Sequence, residues 1–150
     1  MKFFVTGVNG QLGHDVMNEL YKRGLEGIGS DLAPSYAGVM DGSPVTTMPY
    51  VRLDITDKEE VRRVIREIKP DAIIHAAAWT AVDMAEDDEN VSKVRAVNAG
   101  GTRNIAESAK EIDAKMLYLS TDYVFDGQGT EPWKPDCKDY KPLNVYGETK

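Results

Sequence analysis

A chain of 150 residues, 41% hydrophobic and 29% charged, is long enough for one domain with a packed core. The formal net charge of -7 and the lack of a basic stripe exclude a nucleic-acid binder, because phosphate contacts need clustered Lys and Arg. No stretch approaches the roughly 20 apolar residues of a membrane span, and a single cysteine, Cys137, allows no internal disulfide, which fits a reducing cytoplasm.

Lys2–Thr6 is a short β-rich run closed by Gly7 and reads as a buried strand. A helix is expected over Gln11–Arg23, with Leu12, Val16 and Leu20 forming one face and Lys22-Arg23-Gly24 its C-terminus. His14, within it, reads as a surface residue. A second strand covers Glu26–Ser30. The stretch Ala33–Pro49 holds three prolines and two glycines and reads as an irregular loop. A third strand follows at Tyr50–Leu53. Thr56 and Glu59 suggest a capping box, Val61, Ile65 and Ile68 give the next helix its stripe, and Pro70 stops it. Ala72–Ala78 is nearly continuous apolar sequence, as in a strand covered on both faces.

One long helix is expected over Glu89–Ile112, with Val91, Val94, Val97, Ile105 and Ala109 on one side. The acids Glu86-Asp87-Asp88-Glu89 precede it, where the helix dipole favours negative charge, so they are read as a helix start and not as a cation site. Met116–Ser120 is the fifth strand. A proline-bearing loop then runs to Pro142, and a last helix begins near Asn144. Strands alternating with helices predict an α/β fold, a Rossmann-type doubly wound parallel sheet of order 3-2-1-4-5. Ligands of such sheets bind beyond the carboxyl ends of the strands, where the order reverses.

The candidate site residues fall at those ends. In Thr6-Gly7-Val8-Asn9-Gly10-Gln11-Leu12-Gly13, Gly7 permits a tight turn, Gly10 clears space for a pyrophosphate, and Gly13 lets helix and strand pack closely. Asp31, ending the second strand, can accept bonds from adenosine ribose hydroxyls; it would repel a 2′-phosphate, and no arginine is read beside it to compensate, which modestly favours NADH over NADPH. Asp54-Ile55 suits an adenine contact, with a solvated turn aspartate as the equal alternative. Ala76, Ala77 and Ala78, after His75, are small enough for a cofactor to lie across the sheet edge. His75 has no second ligand at metal spacing, so no metal role is assigned. Tyr146 and Lys150 are four apart and share a helix face, so the ammonium is expected to sit near the phenol and lower its pKa. Ser120-Thr121 ends the fifth strand, where the Thr121 hydroxyl could position a carbonyl.

Together, TGVNGQLG at 6–13, Asp54-Ile55, HAAA at 75–78, Ser120-Thr121 and Tyr146-Gly147-Glu148-Thr149-Lys150 resemble the extended short-chain dehydrogenase/reductase superfamily. Trp79-Thr80-Ala81-Val82-Asp83-Met84-Ala85-Glu86, Val97-Asn98 and Ser120-Thr121-Asp122-Tyr123-Val124-Phe125-Asp126-Gly127 resemble more closely the dTDP-4-dehydrorhamnose reductase family. That resemblance implies an NADPH- or NADH-dependent oxidoreductase that reduces the C4 ketone of a dTDP-linked 6-deoxyhexulose. It implies Tyr146 as proton donor, Lys150 as its tuning cation and ribose ligand, and Thr121 on the ketone oxygen. Cofactor contacts would come from Gly7, Asn9, Gly10, Gln11, Leu12, Gly13, Asp31, Asp54, Ile55, Ala76, Ala77, Ala78, Tyr146 and Lys150. Thr80, Val82, Asp83 and Tyr123 would border the sugar. The family continues past this point, so a sixth strand and a substrate-binding lobe are expected beyond residue 150, with 1–150 as the NAD(P)-binding domain. A nucleotide-sugar epimerase or dehydratase of the same superfamily, and a non-catalytic cofactor-binding subunit, remain open alternatives, as does a homodimer.

Overall fold

The computed structural model describes residues 1–150. Strands β1 (Lys2–Thr6), β2 (Glu26–Asp31), β3 (Tyr50–Arg52), β4 (Ala72–His75) and β5 (Lys115–Tyr118) form one parallel sheet in the order β3-β2-β1-β4-β5. The helices are α1 (Gln11–Lys22), α2 (Lys58–Ile68), α3 (Asp88–Arg95), α4 (Thr102–Glu111) and α5 (Val145–Thr149). The doubly wound order read from the alternation of elements is the order found.

Period-two alternation in β1 splits the core between the faces of the sheet. Phe4 packs with Leu53, Val61, Ile65, Ile73 and Ile105, under α2 and α4. Val5, its neighbour, packs on the opposite face with Val8, Met17 and Leu20 of the α1 side. Each large side chain removed from water in this way contributes about 1.5–3 kcal/mol. No helix is long and apolar enough to cross a membrane.

Four local readings need correction. The buried stripe of α1 is Gly13, His14, Met17 and Leu20, while Leu12 is half exposed. His14 is fully buried: its Nδ1 lies 2.6 Å from the Tyr36 hydroxyl and its Nε2 lies 2.7 Å from the Ser43 hydroxyl. The irregular segment after β2 folds back over α1 and encloses it, a long-range event that helical periodicity cannot show. The α2 cap is Asp57, whose carboxylate accepts the Glu60 N–H at 3.0 Å; Thr56 instead donates to Asp54, in the turn before.

The expected helix over 89–112 is α3, then a π-helical segment Ala96–Gly101, then α4. The wider turn brings Asn98 and Gly101 into the interior together.

Candidate active site

A cavity of about 550 Å³ opens at the carboxyl ends of β1 and β4, the point where strand order reverses. Its floor is the β1–α1 turn. Gly7 has φ +77°, and a Cβ there would lie 2.6 Å from the Ala77 backbone nitrogen. A Cβ on Gly13 would lie 2.2 Å from the Gly7 carbonyl oxygen, so the first turn of α1 can rest on the loop only as glycine. The loop is tied to β2 by the Gly7 and Val8 N–H groups, which donate to the Ser30 carbonyl at 2.8 and 3.3 Å.

This turn fits an anionic ligand. Gly10 caps α1 without any side-chain bond, the first turn has no acidic residue, and the first in-helix bond is His14 N–H to the Gly10 carbonyl. The N–H groups of Gln11, Leu12 and Gly13 therefore have no helical partner, at a terminus carrying roughly half a positive charge. All three residues and Gly10 line the cavity. Beside them the Ser30 hydroxyl is buried without a partner.

At one end of the cavity lie Asp31, Leu53, Asp54 and Ile55. Asp31 accepts the Asn9 N–H at 3.0 Å and the Leu32 N–H at 2.8 Å, and so braces the glycine loop. Asp54 accepts the Thr56 N–H at 2.9 Å and its hydroxyl at 2.7 Å, the turn role weighed above. Asn9 is not in the cavity wall: its side chain donates to the Ser35 carbonyl and accepts from Ala37 and Gly38, tying down the loop after β2. An arginine does stand beside Asp31 in space. The sheet register pairs Asp31 with Arg52, whose Nε donates to the Leu32 carbonyl at 3.2 Å, while no carboxylate pairs with it.

The opposite wall carries Ala76, Ala77, Ala78, Thr80, Ser120, Tyr146 and Lys150. Tyr146 lies in α5 and Lys150 is its C-cap, and four side chains dock this short helix. Asn144 caps it by accepting the Gly147 N–H at 2.7 Å. Glu86 accepts the Val145 N–H at 2.7 Å, and Arg95 pairs with Glu148 at 2.6 Å. Asn98, buried in the π segment, reaches Thr149 at 3.1 Å while its oxygen accepts the Trp79 N–H at 2.7 Å. Of these, Asn144 is legible in the sequence as the helix start, Asn98 and the Glu86 cluster draw notice there for other reasons, and Arg95 carries no signal.

Thr121 and Tyr123 stand just behind the wall. The Thr121 hydroxyl donates to the Asp122 carboxylate at 3.1 Å and accepts the Tyr123 N–H at 3.3 Å, and the Tyr123 ring meets Tyr146 edge-on at 5.8 Å. Asp83 opens a 3₁₀ turn whose N-cap is Val82; neither residue lines the cavity. Trp79 also lies off the cavity, with Lys93 over its ring at 5.4 Å.

The electrostatics differ from the expectation. Burial, the largest cause, pushes the Tyr146 phenol above its ordinary pKa; the nearby Thr121 hydroxyl opposes this, and Asp122 and Tyr123 add to the rise. The Lys150 ammonium is not against the phenol. Its Nζ lies 4.7 Å from the centre of the Tyr118 ring, and burial pushes its pKa down. The spacing of four puts both side chains in one wall, but the cation rests on the neighbouring strand.

A parallel sheet of this order, a glycine turn at its reversal point and a Tyr-x-x-x-Lys helix facing that turn define the short-chain dehydrogenase/reductase fold. More narrowly, the chain belongs to the RmlD substrate binding domain family, whose model matches residues 1–150. It is 36% identical over 149 residues to a dTDP-4-dehydrorhamnose reductase from Streptomyces griseus, an alignment covering 99% of this chain and 42% of that protein. A dTDP-4-dehydrorhamnose reductase structure from Clostridium acetobutylicum superposes with a TM-score of 0.80 at 35% identity, covering 99% of this chain and 46% of that one. One from Bacillus anthracis, in complex with NADP, gives 0.79 at 35% identity, with 99% and 46% coverage. The chain spans less than half the length of the curated relatives it matches.

Proposed function

We propose that the whole protein is an NAD(P)H-dependent reductase acting on the C4 ketone of a dTDP-linked 6-deoxyhexulose, with residues 1–150 as its cofactor-binding domain. One observation carries the reading: the Tyr146 phenol and the Lys150 amine share a cavity with the unpartnered N–H groups of the first turn of α1. Similarity to reductases of this name supports the substrate class.

NADH or NADPH supplies a hydride when bound. The chain's own residues do the rest. Gln11, Leu12 and Gly13 would present backbone N–H groups to the pyrophosphate, with Gly10 leaving room for its approach; Asp31 and Asp54-Ile55 would hold the adenosine end. Ala76, Ala77 and Ala78 leave room across the sheet edge. Tyr146, with its pKa raised by burial, stays protonated at neutral pH and gives that proton to the carbonyl oxygen as it gains charge. Thr121, whose hydroxyl favours the ionised form of the phenol, faces the ketone. Lys150 places a positive charge in the same wall. Thr80, in the wall, and Tyr123, against Tyr146, border the sugar, with Val82 and Asp83 following in the same loop.

The test follows oxidation of NADH and of NADPH by the whole protein with dTDP-4-keto-L-rhamnose. Stoichiometric oxidation is expected, and Tyr146→Phe should lower kcat by about 10²–10⁴-fold. A sugar converted with no net cofactor oxidation would point to an epimerase or dehydratase and reject this reading.

A further inference from the structure

Lys150 rests on an aromatic shelf. Its Nζ stands 4.7 Å from the centre of the Tyr118 ring, within cation–π range. The Tyr118 hydroxyl donates to the Lys150 carbonyl at 3.1 Å, so one residue holds both the backbone and the ammonium of the lysine. Register between β4 and β5 sets Tyr118 beside His75, and the two rings stack at 6.2 Å with planes 21° apart. His75 is itself fixed: Nδ1 lies 2.8 Å from the Thr6 hydroxyl and Nε2 lies 3.0 Å from the Thr102 hydroxyl. The Thr6 hydroxyl also accepts the Ala77 N–H at 3.2 Å. A rigid line thus runs from the cavity wall through two stacked rings to β1 and α4.

We propose that Tyr118 is a positioning residue for Lys150, its ring holding the ammonium in the cavity wall that also carries Tyr146 while its hydroxyl ties the lysine backbone. The proposal rests on the reading of Tyr146 and Lys150 as the reacting pair. Its physical basis is that the ammonium has no carboxylate. Glu148, the acid on its own helix, is taken by Arg95 at 2.6 Å. The groups facing it are Tyr118 from β5, His75 from β4 and Tyr146 from α5. Burial works against the charged amine, and the negative face of the Tyr118 ring is the feature that offsets it. His75 beneath adds no like charge, because burial, with Lys150 behind it, holds its pKa down to about 4.

Two measurements on the whole protein decide the matter. Competitive acetylation of amines across pH, read by peptide mass spectrometry, titrates Lys150 without any turnover. Tyr118→Leu should move that titration down by about one pH unit, while Tyr118→Phe, which keeps the ring, should stay near wild type. Where Leu does not fold, Tyr118→Met serves as the ring-free variant. In turnover, the ring-free variant should lose about tenfold in kcat with little change in KM for the sugar, and Tyr118→Phe should recover most of it. Unchanged Lys150 titration in the ring-free variant, or equal losses in Phe and Leu, would overturn the proposal. A wild-type protein that oxidises neither cofactor would reject the reductase reading, and the acetylation arm would still judge Tyr118 by itself.

Discussion

The two walls of the cavity are built from different material. The β1–α1 wall is backbone: a positive-φ glycine, a helix start without a side-chain cap, and the Ser30 carbonyl of β2 as anchor. The α5 wall is side chain: Asn144, Glu86, Arg95 and Asn98 dock a helix of five residues, too short to be stable without its neighbours. A backbone grip tolerates no added atom, whereas a side-chain dock can be loosened one contact at a time. The first wall should therefore fail abruptly under substitution and the second by degrees.

Gly13→Ala is the sharpest attack on that contrast. Its Cβ would meet the Gly7 carbonyl at 2.2 Å, backbone against backbone, so a loss of at least about 3 kcal/mol is expected, at the upper end of overpacking costs. A thermal midpoint near wild type would show the loop to be softer than described. Next in size is a pH effect on β4. His75 titrates at about 4 when folded and near 6.5 when free, so between these values the unfolded chain binds a proton that the folded chain refuses. The contribution is complete above pH 6.5 and falls away as pH drops towards 4, on the order of 3 kcal/mol across the window. Urea midpoints measured at both ends should converge in His75→Gln.

On the side-chain wall, Asn98→Ala leaves the Trp79 N–H without its acceptor, a cost of about 1–3 kcal/mol. Because Thr149 loses its tie as well, kcat should fall further than the stability loss alone explains, and differential scanning calorimetry beside kinetics would separate the two. The smallest effect is at Arg52. Its guanidinium, beside Asp31 and free of any carboxylate, can meet a 2′-phosphate, so Arg52→Ala should weaken NADPH about 3- to 10-fold and leave NADH unchanged. Fluorescence titrations with each cofactor would read this, and equal losses would exclude it.

What the sequence made legible follows the same division. The strands, their order, the glycine turn and the placing of Tyr146 and Lys150 in one wall all rest on local periodicity and spacing, whereas the seat of the Lys150 ammonium on Tyr118 does not. His14 was hidden because its burial depends on a loop more than twenty residues away, which brings Tyr36 and Ser43 onto it. Arg52 meets Asp31 only through sheet register, and Tyr118 meets His75 the same way. Asn98 stood out as part of a resemblance, but its aim towards Trp79 and Thr149 depends on the π segment, for which period-3.6 reading has no signal.

That wide turn has a consequence for chain length. A π segment arises from one residue wound into an otherwise regular helix. Deleting one residue between Ala96 and Gly101 would let α3 and α4 fuse into an unbroken α-helix with all its backbone bonds intact. The cost would appear elsewhere: Val97 faces the cavity and Gly101 lies against Ile55, and neither aim would survive the rotation. The deletion would yield a well-folded rod that no longer connects the place where a ligand is gripped to the place where it would react.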